Sequence, residues 1–148
     1  MTKRFRKLPS PSGVAEDSTA TLNLPTNATY HGVQLQMGGT TFDIGDIAEI
    51  RLNGDGRELF KISGADLDIA NKFDGRAASA NGLAFIDFER YGLITRNGRE
   101  LTAVGTGYPR VTDPSARDFN PTPLSVLQME IDIDGSTAPT LEARAMVS

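Results

Sequence analysis

The 148-residue chain contains no cysteine and no tryptophan, one histidine, and only 7% aromatic residues. Without cysteine there are no disulfides, no thiolate metal sites and no Cys nucleophile, so the fold must hold by packing alone. A Ser-His-Asp triad or a multi-histidine metal centre would have to be built around His31 by itself. Its neighbours Tyr30 and Gly32 read as the start of a strand. No apolar run is long enough to span a bilayer, and the basic N-terminus lacks the hydrophobic core of a signal peptide. The expectation is a protein made in the cytoplasm and not secreted, for which the Asn27-Ala28-Thr29 sequon is idle.

What is present favours β-structure. Fifteen glycines and eight prolines are set between short apolar runs, and 39% hydrophobic against 23% charged residues is ordinary for a globular domain. The length fits one domain with one core. Net charge is −4, but it is unevenly spread. Lys3, Arg4, Arg6 and Lys7 stand in the first twelve residues with no acid among them, leaving 11 basic against 19 acidic residues, a net of −8, in the rest. The sequence therefore divides into a basic, proline-punctuated arm over residues 1–12 and a single domain over residues 13–148. The arm shows no period of either kind and is not expected to be a core element. It is either a frayed end or a contact to a neighbouring subunit or an anionic surface, where each basic residue contributes about 1 kcal/mol.

Alternation marks the strands. Ala20, Leu22 and Leu24 share one face; so do Val33, Leu35 and Met37, then Ala48, Ile50 and Leu52. Asn53-Gly54-Asp55-Gly56 reads as a four-residue hairpin turn into Glu58–Ile62. One helix follows, capped by Ser63, with Asp66 at its positive end and Gly75 as its stop. Leu67, Ala70 and Phe73 form its expected buried face, with Phe73 against the strand edges and Asp68, Asn71 and Lys72 in solvent. Leu83–Phe88 is strand-like and turns through Glu89-Arg90-Tyr91-Gly92 before Leu101–Val104. Tyr108–Pro123, with four prolines and no period, reads as a long loop suited to a subunit surface. Leu127, Met129, Ile131 and Ile133 alternate most cleanly, and Leu141, Ala143, Ala145 and Val147 close the chain.

The candidates for chemistry are weak. Glu130-x-Asp132-x-Asp134-Gly135 fits the first half of a calcium loop, but Leu141 stands where a bidentate Glu belongs and Pro139 intrudes. The solvent face of a strand explains the same residues. Nothing marks Asp43 and Asp46 as a glycosidase pair. Gly105-x-Gly107 lacks the third glycine of a dinucleotide fingerprint. Outside the arm the chain is acidic, without a basic stripe interleaved with aromatics, so no specific nucleic-acid binding is expected.

The ordered set of motifs carries a resemblance. Ile86-Asp87-Phe88-Glu89-Arg90, then Arg99-Glu100-Leu101-Thr102-Ala103-Val104-Gly105-Thr106-Gly107, is similar to the N-terminal half of corticovirus-type major coat proteins. Leu8-Pro9-Ser10, Gly13-Val14-Ala15, Ser18–Pro25, Glu49–Leu52, Gly64–Leu67, Glu130–Asp134 and Ala138–Ala143 fit the same family in order and spacing. Those are double jelly-roll capsid proteins of membrane-containing icosahedral phages. The resemblance implies an all-β viral jelly-roll sandwich of about eight antiparallel strands with one short helix, and a structural protein of the virion capsid rather than an enzyme. It further implies trimeric, pseudo-hexagonal capsomers around an internal membrane, and a second roll that this chain does not contain. Lys3, Arg4, Arg6 and Lys7 would then meet the membrane or a neighbouring subunit. No cofactor or small-molecule substrate is implied; calcium at subunit interfaces stays open, with no ligands assigned. The alternative is a lectin-like carbohydrate-binding sandwich, disfavoured by the lack of tryptophan and the presence of only three tyrosines as sugar platforms.

Overall fold

The computed structural model describes residues 3–26, 28–76, 82–89, 104–105 and 124–148. Its strands are β1 (Arg4–Lys7), β2 (Thr19–Leu24), β3 (Thr29–Gly38), β4 (Ile47–Gly54), β5 (Arg57–Ile62), β6 (Leu83–Asp87), β7 (Val104–Gly105), β8 (Leu127–Ile133) and β9 (Thr140–Val147). A 3-10 turn spans Ile44–Asp46 and the helix α1 spans Gly64–Phe73. The turn 90–92, residues 101–103 and the proline-rich stretch 108–123 lie outside the described residues.

The strands form two antiparallel sheets, ordered β1-β9-β3-β6, with β7 also on β3, and β2-β8-β4-β5. Apart from the β4–β5 hairpin and the short β7, consecutive strands change sheet, which is the winding of a jelly roll. The alternation read from the sequence fills the space between the sheets. Leu22, Val33, Leu35, Leu52, Met129, Ile131 and Val147 are fully buried in one cluster that draws on both sheets. Odd residues of β8 point inward along its whole length, and so do the odd residues of β9.

Four local expectations change. The basic segment is not an arm in this structure but the edge strand β1, paired with β9 from Arg4↔Val147 to Lys7↔Arg144. Leu8, which follows it, is buried in the core, and its N–H donates to the Ala143 carbonyl at 3.0 Å. Periodicity missed the strand because its even positions, which face the same way as Leu8, are Arg4 and Arg6. The β4–β5 turn has two residues rather than four: Asp55 and Gly56 both take positive φ, 49° and 80°, the geometry whose twist matches the flanking strands. A register shift between Ile47 and Glu49 puts Ile47 in the core and leaves Ala48 exposed.

The helix is also rotated from its expected face. Ser63 caps it by accepting from the Asp66 N–H, and Gly75 ends it at φ 76° with its N–H on the Lys72 carbonyl. Leu67 and Asn71 are buried, however, while Phe73 is 90% exposed. Close approach sets the rotation. Gly64 sits where an added Cβ would lie 2.2 Å from the Ile44 carbonyl oxygen and 2.7 Å from that of Ile47, so this side of the helix seats on the β4 entry. Asn71 Nδ2 then donates to the Phe85 carbonyl at 3.1 Å, tying α1 to β6.

Because β1 is a short edge strand, deleting residues 1–7 is expected to lower stability by about 1–2 kcal/mol, the net worth of a few backbone hydrogen bonds, while unfolding stays cooperative. Urea denaturation measures this. An unchanged midpoint would show that β1 adds nothing to the fold.

Candidate functional site

Four segments distant in sequence meet at His31. A register shift in β3 between Tyr30 and Gly32 turns both Tyr30 and His31 into the interior, where His31 is 4% exposed. Its Nδ1 lies 2.5 Å from Glu89 Oε1 and its Nε2 lies 2.7 Å from Ser148 Oγ. Lys3 Nζ donates to both oxygens of Glu89, at 3.0 and 2.8 Å. Burial pushes the Glu89 carboxyl up, but the hydrogen bonds from Lys3 and His31 outweigh it and hold it below the ordinary carboxylate range. The ionised carboxylate thus meets one ring nitrogen of His31, and the Ser148 hydroxyl meets the other. Backbone bonds fix the frame: the Phe88 N–H donates to the His31 carbonyl, and Thr29 and Ser148 exchange N–H···O bonds at 3.1 Å.

Ser148-His31-Glu89 has the connectivity of a hydrolytic triad. Two features point elsewhere. The imidazole is buried, so it presents no open edge to a substrate, and Lys3 neutralises the carboxylate that would stabilise an imidazolium. The cluster is a clasp joining the N-terminal strand, β3, the turn after β6 and the end of β9. Sequence reasoning placed Lys3 among four equivalent cations and gave Glu89 no role, since partners 86 residues apart leave no local signal.

The outer face of the β2-β8-β4-β5 sheet carries a second network. Arg51 on β4 donates to Glu49 at 2.7 Å, to Glu130 on β8 at 3.1 and 3.0 Å, and to Asp132 at 2.7 and 3.1 Å. Thr19 on β2 adds a 2.7 Å bond to Asp132, and Lys61 on β5 lies 3.5 Å from Glu49. Cross-strand register brings them together, because Arg51 stands opposite Glu130, and Thr19 and Glu49 flank Asp132. The hydrogen bonds from Arg51 hold the carboxyls of Asp132 and Glu49 below their usual range, and those carboxylates hold the guanidinium protonated beyond its usual range. Glu130 and Asp132 of the half calcium loop therefore already hold a cation of the chain's own. Among the described residues, no three His, Asp or Glu side chains are grouped for a metal ion.

The remaining candidates resolve simply. Asp43 caps the 3-10 turn and Asp46 accepts from its N–H, so that pair is a capping box. Asn27 and Gly107 lie outside the described residues, while Gly105 pairs with Thr29. A groove of about 390 Å³ beside β2 and β8, lined by Asn23, Pro25, Thr26, Val126 and Gln128 among others, brings no ionisable side chain to its wall. On α1, Ile69 (64% exposed) and Phe73 stand one turn apart and form an uncovered apolar stripe. Of the basic residues, Lys3 is in the clasp, Arg4 and Arg6 lie on the Leu8 side of β1, and Lys7 faces Arg144 across the strand pair.

Known proteins share this architecture. The major capsid protein P2 of bacteriophage PM2 superposes with a TM-score of 0.75 at 26% identity, over 99% of this chain and 51% of that one. VP54 of PBCV-1, in a structure fitted into a reconstruction of the virophage Sputnik, superposes with a TM-score of 0.51 over 98% of this chain and 41% of that one; at 8% identity it shares the fold alone. The chain thus spans about half the length of the first of these structures and less of the second. A comparison with curated proteins yields no match. The profile of the viral coat protein P2 N-terminal domain matches residues 5–148. With that match running from β1 to the end of β9, and a jelly roll whose polar clusters are spent on holding strands together, the chain belongs to the viral coat protein P2 N-terminal domain family, a family of capsid structural proteins and not of enzymes.

Proposed function

We propose that the chain is one of two jelly rolls of a capsid tile, which associates with other coat subunits in the virion as a trimer of pseudo-hexagonal outline. The observation that carries this reading is the complete jelly-roll strand order, spread over a chain that accounts for 51% of the P2 capsid protein it resembles. The Arg51 network keeps one sheet face polar, with its charges paired within the sheet, while the Ile69–Phe73 stripe offers apolar area to a neighbouring subunit or to the second roll. In this reading Lys3, Arg4, Arg6 and Lys7 contribute contacts to an adjacent subunit or to an internal membrane, synthesis takes place in the host cytoplasm, and no cofactor is required.

Light scattering on this chain together with the second roll tests the proposal. A trimer is expected, and Ile69→Asp with Phe73→Asp is expected to reduce association at least tenfold with an unchanged melting temperature. A monomer at all concentrations, or an undiminished trimer in the double variant, would remove the helix stripe from the interface.

A further inference from the structure

Strand β1 carries several features that weaken its pairing. It is four residues long and lies at a sheet edge. The positions on its Leu8 side are Arg4 and Arg6, opposite the buried Val147 and Ala145. On its other side Lys7 stands directly across from Arg144, a like-charge pair that opposes pairing, and Phe5 is 60% exposed. Beyond its pairing with β9, it is anchored at both ends. Leu8 is buried at its C-terminal end, just before Pro9 and Pro11, and Lys3 is clasped to Glu89 at its N-terminal end.

We propose that β1 is a latch, which opens and closes on β9 while the rest of the sandwich stays folded, with Glu89 as its catch and Leu8 as its hinge. Closed, residues 4–7 are a strand. Open, they are a flexible cationic segment, and the backbone edge of β9 is free. One sequence thus serves both as part of the sheet and as an arm. The inference goes beyond the tile reading and does not rest on it, because opening is a property of the single chain.

Charge around the catch sets its response to pH. Lys3 faces Glu89 from the N-terminal segment, His31 from β3, and Asp87 from the end of β6, where its Oδ1 accepts the Glu89 N–H and its Oδ2 accepts from Arg76, which follows α1. Ser148, at the end of β9, completes the ring of contacts through His31. The folded protein holds Glu89 below its ordinary value of 4.5, so the catch is fully engaged above that value and is lost as pH falls through the lower one. Low pH opens the latch, and high salt, by screening Lys3 from Glu89, loosens it.

Hydrogen–deuterium exchange of the whole chain, corrected for intrinsic rates, provides the test. At pH 7 the β1 amides are expected to exchange at least tenfold faster than those of β8. Glu89→Gln is expected to speed β1 about tenfold further with β8 unchanged. Lys7→Glu, which puts opposite charge across from Arg144, is expected to slow β1 about threefold. Equal rates for β1 and β8 in the unaltered protein would overturn the latch. So would Glu89→Gln speeding both strands alike, or Lys7→Glu leaving β1 unslowed. None of these outcomes bears on whether the tile trimerises.

Discussion

Ile131→Ala is expected to cost about 2–5 kcal/mol, the largest single-residue effect among the substitutions considered. Ile131 is fully buried at the middle of β8, between Ala20 of β2 and Ile50 of β4 in the same row of the sheet. Strands on both sides hold the backbone in place, so the space left by the truncated side chain cannot collapse, and the cavity cost adds to the lost burial. Against a typical domain stability of about 5–15 kcal/mol this is a large share. Urea denaturation measures it. Asp132→Asn, next in the strand but on the outer face, is expected to cost about 1 kcal/mol, because the amide loses its charge toward Arg51 while keeping much of its shape. As an inert solvent-face residue it would cost less than about 0.5 kcal/mol. A calcium-dependent loss at Asp132 with little effect at Ile131 would overturn both the strand assignment and the ionic role.

Arg51→Ala is expected to lower stability by about 1–3 kcal/mol at neutral pH, reduced from the cost of a fully buried broken pair because the guanidinium is a quarter exposed. The loss has a characteristic pH dependence. Arg51 holds Asp132 and Glu49 below their ordinary values of 3.8 and 4.5, so its contribution is complete above about pH 4.5 and disappears as pH falls through the lower folded values. In the variant, Glu49, Glu130 and Asp132 face one another without the cation, and acid relieves them by protonation. The stability difference between the two proteins should therefore be greatest at neutral pH and narrow below pH 4. A difference independent of pH would show that Arg51 acts through the packing of its aliphatic stem, which the alanine also removes. Arg51→Met, which keeps much of that stem, separates the two.

The period-2 alternation of β2, β3, β8 and β9 by itself determined that the protein is a β-sandwich and which residues fill it, because burial on one face of a pleated strand imposes that period. The hairpin at Asp55-Gly56, though not its two-residue length, and the caps at Ser63 and Gly75 were legible because each is a local conformational demand met by local residues. Tertiary structure decided the rest. Strand β1 hides behind arginines, since an edge strand need not bury a full apolar row and its pairing comes from β9, some 140 positions along the chain. The bulges that bury Ile47 and His31 come from register with β8 and β9, which no window along the sequence contains. The helix face was set by how closely Gly64 approaches the chain before β4, against the simpler expectation that Phe73 turns inward. The clasp and the Arg51 network unite charges brought together only by strand pairing. Electrostatic partners act through space, so a sequence shows their charges but not which of them the fold will place within hydrogen-bonding distance.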